Sequence, residues 1–83
     1  MDVRVATVTH YYNRIGVAVL QLSGDLNVGD TISILGHTTD FTQEVLSMEI
    51  EHQKIQSAGS NMEVALKVMG PVREGDKIYK VVS

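Results

Sequence analysis

The sequence predicts an all-β domain, a small closed structure of about six strands. A phrase that reads apolar-x-x-Gly-Asp-x-Ile occurs twice, at residues 26–32 and 72–78. Short alternating or wholly apolar runs recur at a spacing of about 8–12 residues, which is typical of β-sandwiches and barrels. No helix-length window shows a convincing period of about 3.6 residues, although residues 41–55 come closest. Closure is favoured because so small a domain does not leave long strand edges exposed.

The repeated phrase has the chemistry of a tight turn. Its two copies contain Gly29–Asp30 and Gly75–Asp76, and each pair precedes an alternating run. Glycine adopts positive φ without steric cost, and an aspartate side chain accepts hydrogen bonds from nearby backbone amides. We therefore predict that Gly29 and Gly75 occupy equivalent turns with glycine-type backbone angles. Asp30 and Asp76 are predicted to accept local backbone hydrogen bonds.

The first half of the chain contains three predicted strands. Residues 3–8 are rich in β-formers, and the segment 10–14 ends that run. Residues 15–22 are apolar on both parities, which is typical of a strand buried on both faces. A turn at 23–25 and the first Gly-Asp phrase lead to a strand at 31–35.

The second half contains three more predicted strands. Residues 41–50 are mostly strand, with Leu46, Met48 and Ile50 alternating on one face, and a polar, irregular stretch follows. Residues 62–69 alternate cleanly, and the second Gly-Asp phrase leads to a last strand at 77–82. The predicted core consists of Val17, Val19, Leu22, Ile32, Ile34, Val64, Leu66 and Ile78, with Met48 and Met62 as filler.

Composition bounds the class of protein. With 43% apolar and 20% charged residues, residues 1–83 are predicted to form one globular domain. The chain has no cysteine, which excludes disulfides and thiolate metal sites. No apolar run reaches the roughly 18 residues of a membrane span, and no signal peptide is recognisable, so we expect a cytoplasmic protein without a membrane partner.

Catalytic and metal-binding motifs are not found in the sequence. Neither the phosphate-cradling glycine loop with its lysine nor the nucleophile elbow is present. His10, His37 and His52 are widely separated and lack the spacing that places two metal ligands on one face. His37 and Asp40 are either a base with its orienting group or polar residues that cap a hairpin. We therefore predict no enzymatic activity, no metal and no cofactor.

A partner-binding surface is predicted at His10, Tyr11, Tyr12 and Arg14, where imidazole, aromatic and cationic groups meet. Adjacent tyrosines of one strand point to opposite faces, so at most one of them is core. The exposed tyrosine is suited to stack on a base or anchor a peptide. Alternatively, both tyrosines are structural, and one covers the end of the barrel.

A second candidate surface is the mildly basic last third of the chain. It contains Lys67, Arg73, Lys77 and Lys80. These residues either form a basic face or are solvated cations that protect strand edges from aggregation. The net charge of −3 weighs against generic nucleic-acid binding, which requires a basic field.

The order of strands and turns resembles the second domain of translational GTPases. The resemblance lies in residues 5–8, the run 16–32, Met48-Glu49-Ile50, Gly59 before 64–66, and the phrase at 72–78. Elongation factor Tu and its archaeal-eukaryotic counterpart carry this barrel. The resemblance spans residues 3–82 and implies a closed, six- or seven-stranded, Greek-key-like barrel. It implies no GTP binding by this chain, because the nucleotide-binding domain is not in it.

The C-terminal domain of collagenase-like peptidases, some of which act in RNA modification, has a similar pattern of strands and Gly-Asp turns. The two resemblances imply a non-catalytic binding module whose partner is RNA or a protein of the translation or RNA-modification machinery. The alternative is an accessory subunit that docks onto a collagenase-like enzyme lacking its own barrel. Met1 directly before the first strand suits a complete small gene product, and a cut domain would look the same.

Overall fold

The computed structural model describes residues 2–82, and in that range every regular element is a β-strand. The strands are β1 (Asp2–Tyr12), β2 (Val17–Leu22), β3 (Leu26–Asn27), β4 (Thr31–Leu35), β5 (Asp40–Glu44), β6 (Met48–Ile50), β7 (Gln53–Ile55), β8 (Ser57–Ala58), β9 (Glu63–Lys67) and β10 (Lys77–Val81). Eight of them form an antiparallel sheet in the order β5-β4-β10-β1-β2-β9-β6-β7, and β3 pairs with β8. The all-β prediction is confirmed.

The strands outnumber the predicted six because several are very short. An irregular break at 45–47 divides the predicted strand 41–50 into β5 and β6, and the polar stretch 52–61 contains β7 and β8. A strand of two or three residues shows no alternation that a sequence pattern can reveal.

Strand β1 continues through the segment 10–14 as far as Tyr12, beyond its predicted end. Its register shifts between Arg4 and Ala6 and again between Val8 and His10, which marks two bulges. At the first bulge two consecutive residues, Val5 and Ala6, are both buried. Bulges bend a strand and increase its twist. Strand β1 pairs with β10 along one edge and with β2 along the other.

The core is aliphatic and largely as predicted. Its fully buried members include Leu22, Ile32, Ile34, Met48, Val64, Leu66 and Ile78. The prediction was wrong for Val17 and Val19, which are only half-buried. Strand β2 directs Ala18 and Leu20 into the core, so alternation places the two valines on the outer face.

Two further apolar residues were placed inward and are exposed. Leu46 is 55% exposed, because it lies in the break between β5 and β6, where the alternation of a strand does not apply. Met62 is 40% exposed in the turn before β9, where its Sδ accepts a hydrogen bond from the Gly59 amide at 3.3 Å.

The two Gly-Asp turns are equivalent, as predicted. Gly29 has a φ of 99° and Gly75 a φ of 92°. In each turn the aspartate Oδ2 accepts a hydrogen bond from the backbone amide three residues earlier, at 2.9 Å for Asp30 and 2.8 Å for Asp76. The same sequence phrase therefore produces the same local structure at two places in the fold.

The structure does not show the closed barrel that was predicted. In the described part of the chain the sheet order ends at β5 and β7, and no ladder joins these two strands. The first Gly-Asp turn lies between them instead. Backbone hydrogen bonds join Gly29 and Asp30 to Val45 after β5, and Val28 to Gln56 after β7. Short outer strands flanked by irregular segments leave room for this turn.

Candidate functional site

A groove of about 560 Å³ crosses the outer face of β2, β9 and β6. It is lined by Tyr12, Ile15, Val17, Val19, Ser47, Glu49, Glu51, His52, Ala65 and Lys67, and is called here the β2–β9 groove. Most of the lining is apolar. A contiguous exposed apolar surface with a polar rim marks an interaction site more often than a lone exposed side chain does.

Strand register explains why these residues meet. Tyr12 pairs with Val17, which pairs with Lys67 across β1, β2 and β9. One step along, Val19 pairs with Ala65, which pairs with Glu49 on β6. Residues aligned across neighbouring strands share a face of the sheet, so these two rows form a continuous surface.

The β1–β2 hairpin forms one wall of the groove and is held in place by hydrogen bonds. The Tyr12 carbonyl accepts bonds from the amides of Ile15 and Gly16, and Gly16 has a φ of 65°. The Lys67 ammonium donates to the Ile15 carbonyl at 2.8 Å. These bonds fix a loop that presents Ile15 with 59% of its surface exposed. A large apolar side chain is thus held in solvent beside the groove.

The β6–β7 turn forms the opposite wall and has an unusual backbone. Ile50 pairs with Gln53, so Glu51 and His52 are the two residues of the turn, with φ values of 50° and 65°. Two-residue hairpin turns with positive φ at both positions favour Asn-Gly. The left-handed conformation costs other residues about 1–2 kcal/mol each. Backbone strain of this kind clusters at functional sites, so this turn is a candidate for one.

The predicted partner-binding residues divide between surface and core. His10 and Tyr12 lie on the same face, with ring centroids 4.4 Å apart, and Tyr12 is 49% exposed in the groove. Tyr11 is half-buried and packs against the core. His10 Nδ1 lies 3.5 Å from a Glu74 carboxylate oxygen, and Arg14 is exposed in the hairpin turn. The structure therefore brings Tyr12 into the groove, and binding by the four residues remains a prediction.

Sequence reasoning did not identify most of the groove. Val17 and Val19 were assigned to the core, because the run at 15–22 is apolar on both parities. Glu51 and His52 form the polar wall; His52 began the stretch 52–61 that was interpreted as irregular, and Glu51 was given no element. A half-buried apolar outer face and a fully buried one give the same sequence pattern, so burial on that side was not predictable.

The predicted basic surface is not a single face. Lys67 lies on β9, while Lys77 and Lys80 lie on β10, and β1 and β2 separate these strands in the sheet. Lys80 also lies 3.4 Å from Asp30. The cations of the last third are therefore distributed over different parts of the sheet.

Across residues 2–82 no cluster of three or more His, Cys, Asp or Glu side chains is placed to hold a metal ion. His37 and Asp40 are both exposed at the β4–β5 hairpin. The same range contains no helix able to cross a bilayer.

Comparison with known proteins identifies related segments in two larger proteins. An uncharacterized protease of Methanocaldococcus jannaschii is 38% identical over 78 residues, which is 93% of this chain and 19% of that protease. A collagenase of Porphyromonas gingivalis is 36% identical over 72 residues, which is 84% of this chain and 20% of the collagenase. The chain thus spans about a fifth of the length of the curated relatives it matches. No known protein-family model matches it.

Solved structures share the fold. The C-terminal domain of a putative U32 peptidase from Geobacillus thermoleovorans has a TM-score of 0.89 at 22% identity, over 94% of this chain and 91% of that domain. Its selenomethionine variant has a TM-score of 0.86. The solved structures show the shared fold, and the relatives at 36–38% identity support the resemblance to collagenase-like peptidases. The relation to elongation factor Tu stays a prediction.

Proposed function

We propose that this chain is a non-catalytic accessory subunit that docks onto a collagenase-like peptidase, and that it binds protein through the β2–β9 groove. The observation that carries the proposal is that this chain is much shorter than the relatives whose segment it matches. The related segment fills 84–93% of this chain but only 19–20% of the protease and the collagenase. A segment of this kind is a module beside a much larger remainder, and the peptidase chemistry is assigned to that remainder.

The surface of the chain supports binding rather than catalysis. The groove combines a mostly apolar lining with exposed Tyr12 and Ile15, and aromatic side chains are frequent anchors of protein interfaces. A nucleic-acid partner, the reading implied by translation factors, is less well supported. Glu49 and Glu51 line the groove and repel phosphate, and the net charge of the chain is −3.

The proposal is tested by direct binding. The purified chain is mixed with a collagenase-like peptidase from the same source, expressed without its own β-domain, and the affinity is measured by surface plasmon resonance. We expect a complex that survives nuclease treatment and depends weakly on salt between about 50 and 200 mM. The chain alone is expected to leave gelatin uncleaved.

Matched variants locate the interface. Val19→Asp introduces a charge inside the groove, and Gln21→Asp introduces one two residues along the same strand, outside the groove lining. We expect the first variant to abolish binding and the second to retain it, with similar melting temperatures. No peptidase binding, together with salt-sensitive binding to transfer RNA, would reject the proposal in favour of an RNA partner.

A further inference from the structure

We infer that the β2–β9 groove receives an extended peptide segment that carries an apolar side chain and, two residues away, a lysine or arginine. The inference rests on the proposed protein-binding function and specifies the partner's chemistry. It follows from two adjoining features of the groove, an aliphatic floor and a pair of carboxylates beside it.

The floor is formed by small and branched aliphatic side chains. Val17 and Val19 on β2 and Ala65 on β9 are half-buried and lie side by side in the cross-strand rows. The exposed side chain of Ile15 stands beside them. A partner that covers this floor with a polar group loses that group's hydration, whereas an apolar group adds its own buried surface to that of the floor. One aliphatic or aromatic side chain supplies that surface.

The carboxylates of Glu49 and Glu51 have no cation of their own. Among residues 2–82 the ion pairs are His10–Glu74 and Lys80–Asp30, and neither involves the groove glutamates. Lys67, the lysine of the lining, directs its ammonium to the Ile15 carbonyl. Lys54 is the cross-strand partner of Glu49 but does not form an ion pair with it. Two unpaired carboxylates beside an apolar floor complement a cationic side chain.

The spacing of the two features suits residues i and i+2 of an extended chain. Neighbouring strands lie about 4.8 Å apart, so β2 and β6, on either side of β9, are separated by about 10 Å. Residues i and i+2 of an extended peptide are about 6.8 Å apart and point to the same side. A lysine or arginine side chain is long enough to cover the remaining distance of about 3 Å between the roughly 6.8 Å peptide spacing and the roughly 10 Å strand separation. An adjacent pair would point to opposite sides and would not satisfy both features.

Three short synthetic peptides test this inference on the intact chain. The first is acetylated Gly-Leu-Gly-Arg-Gly amide, the second has Glu in place of Arg, and the third has Ser in place of Leu. Binding is followed by amide chemical shifts of the isotopically labelled chain. We expect the first peptide to shift the amide resonances of Val19, Glu49 and Ala65. Each altered peptide is expected to bind at least about tenfold more weakly, which corresponds to a loss of about 1.4 kcal/mol in binding free energy.

A charge-matched pair of variants tests the carboxylates. Glu49→Gln with Glu51→Gln removes two charges from the groove, and Asp40→Asn with Glu44→Gln removes two from exposed positions on β5. The groove variant is expected to bind the arginine peptide about tenfold more weakly, and the β5 variant to bind it normally.

The outcomes separate this inference from the proposed function. Equal binding of the arginine and glutamate peptides, or no amide shift with any peptide at about 10 mM, would overturn the inference. If the peptidase still bound and Val19→Asp still abolished binding, the accessory function would stand with a differently charged ligand. Shifts at β5 or β7 in place of the groove would also overturn it.

Discussion

At positions 29 and 75 the backbone conformation, and not a lack of space, restricts which residues the fold tolerates. Both have φ values in the left-handed region, and a Cβ built on either glycine meets no atom within 4 Å. Substitution at these sites is therefore free of collision and costs only backbone strain. Because a side chain at either position meets no neighbouring atom, a substitution there measures the free-energy cost of the left-handed backbone conformation directly.

We expect Gly75→Val to lower the free energy of unfolding by about 1–3 kcal/mol, because a β-branched residue is strongly disfavoured at positive φ. Gly75→Asn is the control, since asparagine tolerates the left-handed region. Urea denaturation gives both values. Equal losses for the two variants would show that the side chain, and not the backbone, determines the cost.

The two turn aspartates differ in burial, which separates their contributions. Asp76 is 4% exposed and Asp30 is half-buried, although each accepts the equivalent backbone hydrogen bond. We expect Asp76→Ala to cost about 1–3 kcal/mol, because the Arg73 amide loses its partner in a buried site. Asp30→Ala is expected to cost less, since water replaces part of the lost bond. Thermal melting of both variants tests the order, and the reverse order would contradict it.

Strand β9 shows how far a sequence pattern predicts an element. Its alternation correctly placed Val64 and Leu66 in the core and left Ala65 on the other side. The same reasoning failed at Leu46, because alternation continues through a sequence even where the strand is interrupted. It failed at Val19, because an apolar residue on an outer face gives no sign of being uncovered. The turns were predictable because Gly-Asp constrains φ locally, whereas the groove arises from long-range register.

Leu66 and Leu46 make a matched test of these assignments. Leu66 is fully buried, whereas Leu46 is 55% exposed. We expect Leu66→Ala to cost about 2–5 kcal/mol, because it removes buried methyl groups and leaves a cavity. Leu46→Ala is expected to stay within about 0.5 kcal/mol of the parent, as surface substitutions usually do. Chemical denaturation measures both, and a large loss at Leu46 would show that the Leu46 side chain packs against the domain in solution.

At the scale of the whole molecule the two Gly-Asp turns serve the same architectural purpose. Gly29 donates to the Val45 carbonyl and the Val45 amide donates to Asp30. In the second turn Gly75 donates to the Val8 carbonyl and the Val8 amide donates to Asp76. Each turn is thus bonded reciprocally to a strand segment distant in sequence. The repeated phrase therefore fixes two long-range connections of the sheet as well as two local turns.

The side chain of Gln43 supplies a further long-range connection, on the β5 side of the molecule. It is buried on β5, where Nε2 donates to the Lys67 carbonyl at 3.0 Å and Oε1 accepts from the Met69 amide at 2.7 Å. In the sheet order four strands lie between β5 and β9. One amide side chain on β5 thus bonds two backbone groups at the end of β9.

We expect Gln43→Met to lower the free energy of unfolding by about 2–4 kcal/mol, because backbone groups of Glu44, Lys67 and Met69 lose their side-chain partner in a partly buried site. The Met69 amide should also exchange with solvent faster than in the parent under native conditions. Thr42→Val is the control, because Thr42 is exposed on the same strand and bonds only the Ser33 hydroxyl. Hydrogen exchange followed by NMR distinguishes the two variants. Unchanged protection of Met69 in Gln43→Met would mean that β5 and the end of β9 are held together by apolar packing alone.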